Sequence, residues 1–264
     1  MAIHPTAVVD PSAELGDVEI GAFAVIGPDV VLEDGVVVGA HVVITGPTRV
    51  GARTRIHPFA SIGGDPQDLK YAGERTALEL GTDNLIREYV TMNRGTAGGG
   101  GVTRVGDHNL FMASSHVAHD CQVGSHCVFA NSVAIAGHVE IQDRVVLGGL
   151  AGVHQYARIG RCAMVGAGAM ASLDVPPFTI AQGDRARLYG VNIIGLRRAG
   201  YETALIEVLR STYRELFGGA APLRMAAERV REAYHDVPEV VELANFVQGS
   251  VRGICRSAGN DPAE

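Results

Sequence analysis

Apolar residues recur at every sixth position through the middle of the chain. Val105, Phe111, Val117, Val123, Phe129, Ile135, Ile141, Leu147, Val153, Ile159 and Val165 follow one another without a slip, and Gly or Ala comes next in eight of the eleven cases. Earlier runs keep the spacing: Ile3, Val9 and Leu15, then a run of eight from Ile20 to Ile62, then Leu80, Ile86 and Met92. A period of six matches neither an alternating strand nor an amphipathic helix. It predicts a parallel β-helix in which each apolar residue points inward and the small residue after it lets the chain turn. Three hexads close one triangular coil, so residues eighteen apart lie above one another.

Two segments break the count, near residues 63–79 and 96–104, and read as loops thrown out of a corner. Gly98 to Gly101 do not form a phosphate loop, because no Gly-Lys-Ser/Thr follows them. They predict a flexible connection. Past about Tyr189 the period changes. Ala204, Leu205, Val208, Leu209, Tyr213 and Leu216 recur at helical spacing, and Leu223 to Tyr234 and Glu239 to Cys255 read as two more helices near Pro222 and Pro238. The expected organisation is mainly β: a solenoid over residues 1–189 and an α-helical domain over 190–264. An open solenoid end is an unpaired strand edge, so the helical part is expected to cap it.

Composition agrees. Aromatic residues make up 5% of the chain, Trp is absent, and Gly reaches 34 of 264 residues. A core of Val, Ile, Leu and Ala needs few large rings. No signal peptide and no membrane-crossing run is recognised. Cys121, Cys127, Cys162 and Cys255 lack metal-ligand spacing and read as buried thiols. These features point to the cytoplasm, and a net charge of −7 argues against nucleic acid as a partner.

The chemistry concentrates in four histidines. His116, His119, His138 and His154 lie on the most regular part of the repeat. The eighteen-residue rule places Gly137 against His119 and His138 against Asp120. His154 falls above Ala136, in a register usually given to Gly or Ala. The group spans about two coils, roughly 10 Å at a strand spacing of about 4.8 Å. Three readings follow from the residues alone. These are ordinary surface histidines, a zinc site of the kind found in hexapeptide-repeat hydratases, or a general base, His119, oriented by Asp120.

The string His116-Val117-Ala118-His119-Asp120-Cys121, with Ala136-Gly137-His138 and Val153-His154-Gln155, resembles the bacterial UDP-N-acetylglucosamine O-acyltransferases. Gln67 to Glu74, Asp174-Val175-Pro176-Pro177, Ile180 to Gly183 and Gly190 to Ile193 extend the resemblance over nearly the whole chain. It implies a left-handed β-helix, a homotrimer with sites between subunits, and transfer of an (R)-3-hydroxyacyl group from acyl carrier protein to the 3-hydroxyl of UDP-N-acetylglucosamine. It implies no resident cofactor and no metal, since the acyl group arrives as a phosphopantetheine thioester. By the same resemblance His119 is the base, Asp120 its partner carboxylate, and the Gly137 N–H the oxyanion donor. His116, His138, His154 and Gln155 line the site. Asp68 and Lys70 reach the sugar nucleotide from the first loop, as do Asn192 and Arg198 from the helical side. Ala167 stands at the end of the acyl groove, where the family often has Gly, and implies a chain of about 10–14 carbons, since one methylene is worth about 1–3 kcal/mol.

The chain departs from the family pattern at Ile194, where Glu is usual, and at Ala199, where a further Arg is common. Arg197, Arg198, Arg210, Arg214, Arg224 and Arg229 could supply a basic surface for the acidic carrier protein. A related N-acyltransferase usually carries an extra N-terminal domain, for which hexads beginning at Ile3 leave no room. An amine acceptor on a UDP-sugar analogue remains a rival, as does the zinc-dependent hydratase.

Overall fold

A computed structural model describes residues 1–219 and 221–259, so the end of the expected helical domain, residues 260–264, lies outside the described residues. Most strands are two to four residues long and fall into three sheets, of eleven, nine and eight strands. Up to the closing hairpin of the eleven-stranded sheet, neighbours are strands three apart in sequence, the mark of a three-sided coil. The fold is a left-handed parallel β-helix. All eleven apolar residues of the run from Val105 to Val165 are buried. The register bears out the eighteen-residue rule, with His116 opposite Ala134 and Ala134 opposite Gly152.

The corners explain how two-residue strands can stack so regularly. Among the described residues, eighteen other than glycine, Asp120, His138 and Tyr156 among them, have φ near +60° at the turns. This left-handed backbone costs roughly 1–2 kcal/mol per residue. The cost is offset by the ladder bonds and the inward apolar side chain that each turn makes possible. Many corner residues, such as Phe23, Phe59 and Tyr156, are exposed there, while Asp120, Cys162 and Phe178 turn theirs into buried surroundings.

The first expected loop, Asp65 to Thr76, lies between strands Ser61–Gly64 and Ala77–Leu80. It is tied down at its root. The buried Arg94 guanidinium contacts Asp65 and donates to the Gly63 carbonyl and to the Tyr71 hydroxyl, while Arg75 pairs with Asp29 at 2.6 Å. The second is not a free connection. Ala97–Gly99 forms one 3-10 turn capped by Thr96, and Val102–Val105 is a regular strand. Glycine composition hid this, because the anchor is a buried carboxylate from a different coil.

The parallel ladder closes on the hairpin Thr179–Gln182 and Arg187–Val191. Four helices follow: α1 (Ile193–Arg198), α2 (Thr203–Phe217), α3 (Leu223–Ala233) and α4 (Pro238–Gln248). The expected helix from Glu239 to Cys255 therefore stops seven residues early. Gly249 ends it, and the chain returns to the solenoid, where Cys255 N–H donates to the Asp174 carbonyl and Asp174 N–H to that of Gly253. Backbone pairing with an open strand edge outweighs one more helical turn.

Asp174 organises this closure. Its buried carboxylate accepts from the Arg158 N–H at 2.9 Å, the Arg158 guanidinium at 3.1 Å and the Ser250 hydroxyl at 2.8 Å. Arg161 makes a parallel clamp to Glu242 and Tyr201. Asp174→Ala is expected to cost about 2–3 kcal/mol by leaving these donors unpaired. Thermal denaturation should show a fall in Tm of several degrees, and an unchanged Tm would mean that the clamp contributes nothing net.

Candidate active site

Asp120 sits at a corner with its side chain buried. One carboxylate oxygen accepts the Thr96 N–H at 2.7 Å. The other accepts the Thr96 hydroxyl at 2.7 Å and His119 Nδ1–H at 2.7 Å. Gly99 lies so close that an added Cβ would stand 2.1 Å from the carboxyl carbon. The glycine-rich turn thus seals the carboxylate from water. A carboxylate can only accept, so the His119 proton lies on Nδ1 and Nε2 is left with a free lone pair. His138 Nε2 is 3.6 Å from the same carboxylate, and its ring stacks on Tyr156 with centroids 4.4 Å apart.

The His119 ring lies directly over Gly137. A Cβ on Gly137 would come within 2.5 Å of Cε1 and 2.7 Å of Nε2. Gly137 is buried, and among the described residues its N–H donates to no recorded acceptor. A lone pair able to take a proton and a backbone donor thus share one small space, and Asp120 fixes the ring between them. This suits attack by a hydroxyl on a carbonyl: the base takes the proton and the N–H meets the developing oxyanion.

An apolar groove of about 480 Å³ lies on the outer face of the nine-stranded sheet, lined by His116, Ala134, Gly152, His154, Met170 and Arg185 among others, and Ala136 in its wall precedes Gly137. Burial and the nearby His119 lower the pKa of His116, which favours its neutral ring. Its Nδ1 is 2.7 Å from the Thr91 hydroxyl. His154 Nδ1 accepts from Arg252 at 2.7 Å. Arginine can only donate, so the Gln155 carbonyl 3.2 Å from the same nitrogen is a neighbour rather than an acceptor. Gln155 is exposed beside it.

The other expected residues lie elsewhere in the chain. Asn192 and Arg198 line a separate cleft of about 620 Å³ against the eleven-stranded sheet, with His126, Arg144, Ile194 and Ala199. Asn192 is buried and caps α1, accepting from Gly195 N–H and donating to the Cys162 carbonyl at 2.9 Å. Asp68 and Lys70 lie on the first loop, where Asp68 accepts the Lys70 N–H at 2.9 Å, and they line neither cleft. Ala167 is exposed at a turn beyond the eleven-stranded sheet and is absent from the groove wall. The thiols of Cys121 and Cys127 are buried and unpaired, and burial pushes both up to about 12. Thr96, Tyr156 and Arg252 belong to the site but were not expected. Thr96 and Arg252 lie in the two segments whose local pattern misleads. Tyr156 follows from the rule itself, eighteen residues beyond His138.

Two family profiles match. One, described as UDP-N-acetylglucosamine O-acyltransferase domain 2, covers residues 174–255, and one for the bacterial transferase hexapeptide covers 16–46. The acyl-[acyl-carrier-protein]–UDP-N-acetylglucosamine O-acyltransferase of Alkalilimnicola ehrlichii is 54% identical over 96% of this chain and 99% of its own. The chain belongs to the UDP-N-acetylglucosamine O-acyltransferase family. The acyltransferase of Myxococcus xanthus is 52% identical over 96% of this chain and 99% of its own. The solved structure of the family member LpxA from Acinetobacter baumannii superimposes with a TM-score of 0.94 at 43% identity, covering 97% of this chain and all of that one. The solenoid and the helical end are thus shared with the family as one unit.

Proposed function

We propose that this protein transfers an (R)-3-hydroxyacyl chain from acyl carrier protein to the 3-hydroxyl of UDP-N-acetylglucosamine, the first step of lipid A synthesis. The observation that carries the reading is the His119 ring held by Asp120 over the Gly137 N–H. In the ground state the acyl thioester carbonyl lies at that N–H. His119 Nε2 removes the hydroxyl proton as the oxygen attacks the carbonyl carbon. Asp120 stabilises the imidazolium that forms. When the tetrahedral intermediate collapses, the C–S bond breaks and the phosphopantetheine sulfur leaves as a thiol, taking its proton from the His119 imidazolium.

The working unit is a homotrimer. The catalytic corner and the cleft holding Asn192 and Arg198 lie on different faces of one prism, so a neighbouring copy is the way to bring them to one substrate. Asp68 and Lys70 reach the sugar nucleotide across the same junction. Among the described residues no helix is long and apolar enough to cross a membrane, and the reaction is assigned to the cytoplasm. Chemistry of this kind needs no resident cofactor.

The test is transfer from 3-hydroxyacyl carrier protein to UDP-N-acetylglucosamine, with and without chelator. The ligand atoms of His119, Asp120 and His138 lie within 4.8 Å of one another, which makes the comparison informative. Transfer at the same rate in both arms is expected. Absence of transfer, or stoichiometric zinc whose removal abolishes activity, would overturn the reading.

A further inference from the structure

His154 stands one coil beyond Ala136 and lines the apolar groove. Its polarity is set from outside the solenoid. Arg252, on the segment that follows α4, turns one edge of its guanidinium to the groove wall. Nε donates to the Ser172 carbonyl at 2.7 Å, and Nη2 lies 2.7 Å from His154 Nδ1. Two bonds from one planar fork fix the tilt of the group as well as its place. The segment that carries it is held in turn, by the Ser250 hydroxyl on Asp174 and by the Gly253 N–H on Ser250 Oγ at 3.0 Å. Among the described residues no carboxylate pairs with Arg252.

A guanidinium only donates, so the lone pair at this contact belongs to Nδ1 and the ring proton to Nε2. The other tautomer would serve the Gln155 carbonyl at 3.2 Å but would set N–H against N–H at 2.7 Å. Asp120 does the reverse to His119: an acceptor puts the proton on Nδ1 and leaves Nε2 bare. The site therefore holds two histidines of opposite polarity, one a base and one a donor. A free imidazole can exchange donor for lone pair, and Arg252 removes that choice.

We propose that Arg252 is a positioning residue that holds His154 as a hydrogen-bond donor to an oxygen of the hydroxyacyl group in the groove. The inference rests on the acyltransferase reading. Arg252→Gln replaces a pure donor by an amide that can also accept. In the full-length enzyme it is expected to raise KM for 3-hydroxyacyl carrier protein by roughly 10-fold or more, with kcat and KM for UDP-N-acetylglucosamine nearly unchanged. Arg252→Lys, again a pure donor, should recover most of the loss. In a His154→Ala background Arg252→Gln should add nothing, because the two side chains act as one unit. An undiminished effect in that background would mean that the cation acts on the carrier protein or the cap directly, and would overturn the proposal. A wild-type KM in Arg252→Gln would do the same. The tautomer is read separately, by nitrogen NMR of the histidine-labelled wild type. The His154 signal, assigned by its loss in His154→Ala, should show Nε2 protonated and Nδ1 bare. The reverse pattern would overturn the proposal even if a variant failed to fold. If the wild type transfers no acyl group, the acyltransferase reading falls and the role in donor binding with it, while the spectrum still decides whether Arg252 fixes the ring.

Discussion

Replacing His119 with alanine is expected to lower turnover by about 10²–10⁴-fold while leaving the fold intact. The sugar hydroxyl is a weak nucleophile unless its proton leaves as the new bond forms, and Nε2 of His119 is the lone pair held against the Gly137 donor. The ring lies on the surface of the coil rather than within the row of inward residues, so its removal opens no core cavity. The loss should appear in kcat more than in KM, because the base acts in the transition state. A variant with full turnover and an unchanged Tm would remove His119 from the mechanism. Asp120→Asn makes a useful companion, but it also disturbs the bonds from Thr96 and so mixes a loss of orientation with a loosened turn.

Gly137→Ala is expected to cost about 10²–10³-fold in turnover, as much as the loss of an oxyanion donor usually does, although the N–H itself remains. The reason is steric and local. The new methyl would stand 2.5 Å from His119 Cε1, far inside ordinary contact, so the ring must swing away from both the N–H and Asp120. Gly137 is not among the residues with positive φ, and alanine can adopt its backbone conformation. The variant should therefore fold, which separates this result from simple destabilisation. Turnover and melting temperature measured together decide the matter. Wild-type turnover would show that the ring and the donor are not jointly required, and a protein that failed to fold would show that Gly137 serves the coil instead.

Much of the site was legible because the repeat turns sequence separation into height. The pairing of His119 with Gly137 and the nearness of His138 to Asp120 both follow from counting eighteen. What could not be counted was whatever arrives from outside the coil. Thr96 reaches Asp120 from a glycine-rich turn whose composition suggests freedom, yet the carboxylate behind it needs donors and orders it. Arg252 reaches His154 because the chain leaves α4 at Gly249 to pair with the open edge at Asp174. A local helical pattern carries no information about an edge nearly eighty residues away. Asp68, Lys70, Asn192 and Arg198 fall away from the catalytic corner of one chain for a different reason. Nothing in their period or spacing marks that separation, and in the homotrimer proposed above they would serve a neighbouring copy.

The coil makes height along the solenoid a discrete quantity. Insertion or loss of one whole coil would change the distance from the Asp120 corner to the α-helical cap by roughly 4.8 Å and would leave each of them internally unchanged. A side-chain exchange on an outer face leaves that distance as it is. Relatives that share the corner and the cap should therefore keep the number of coils between them and vary in the residues that face outward.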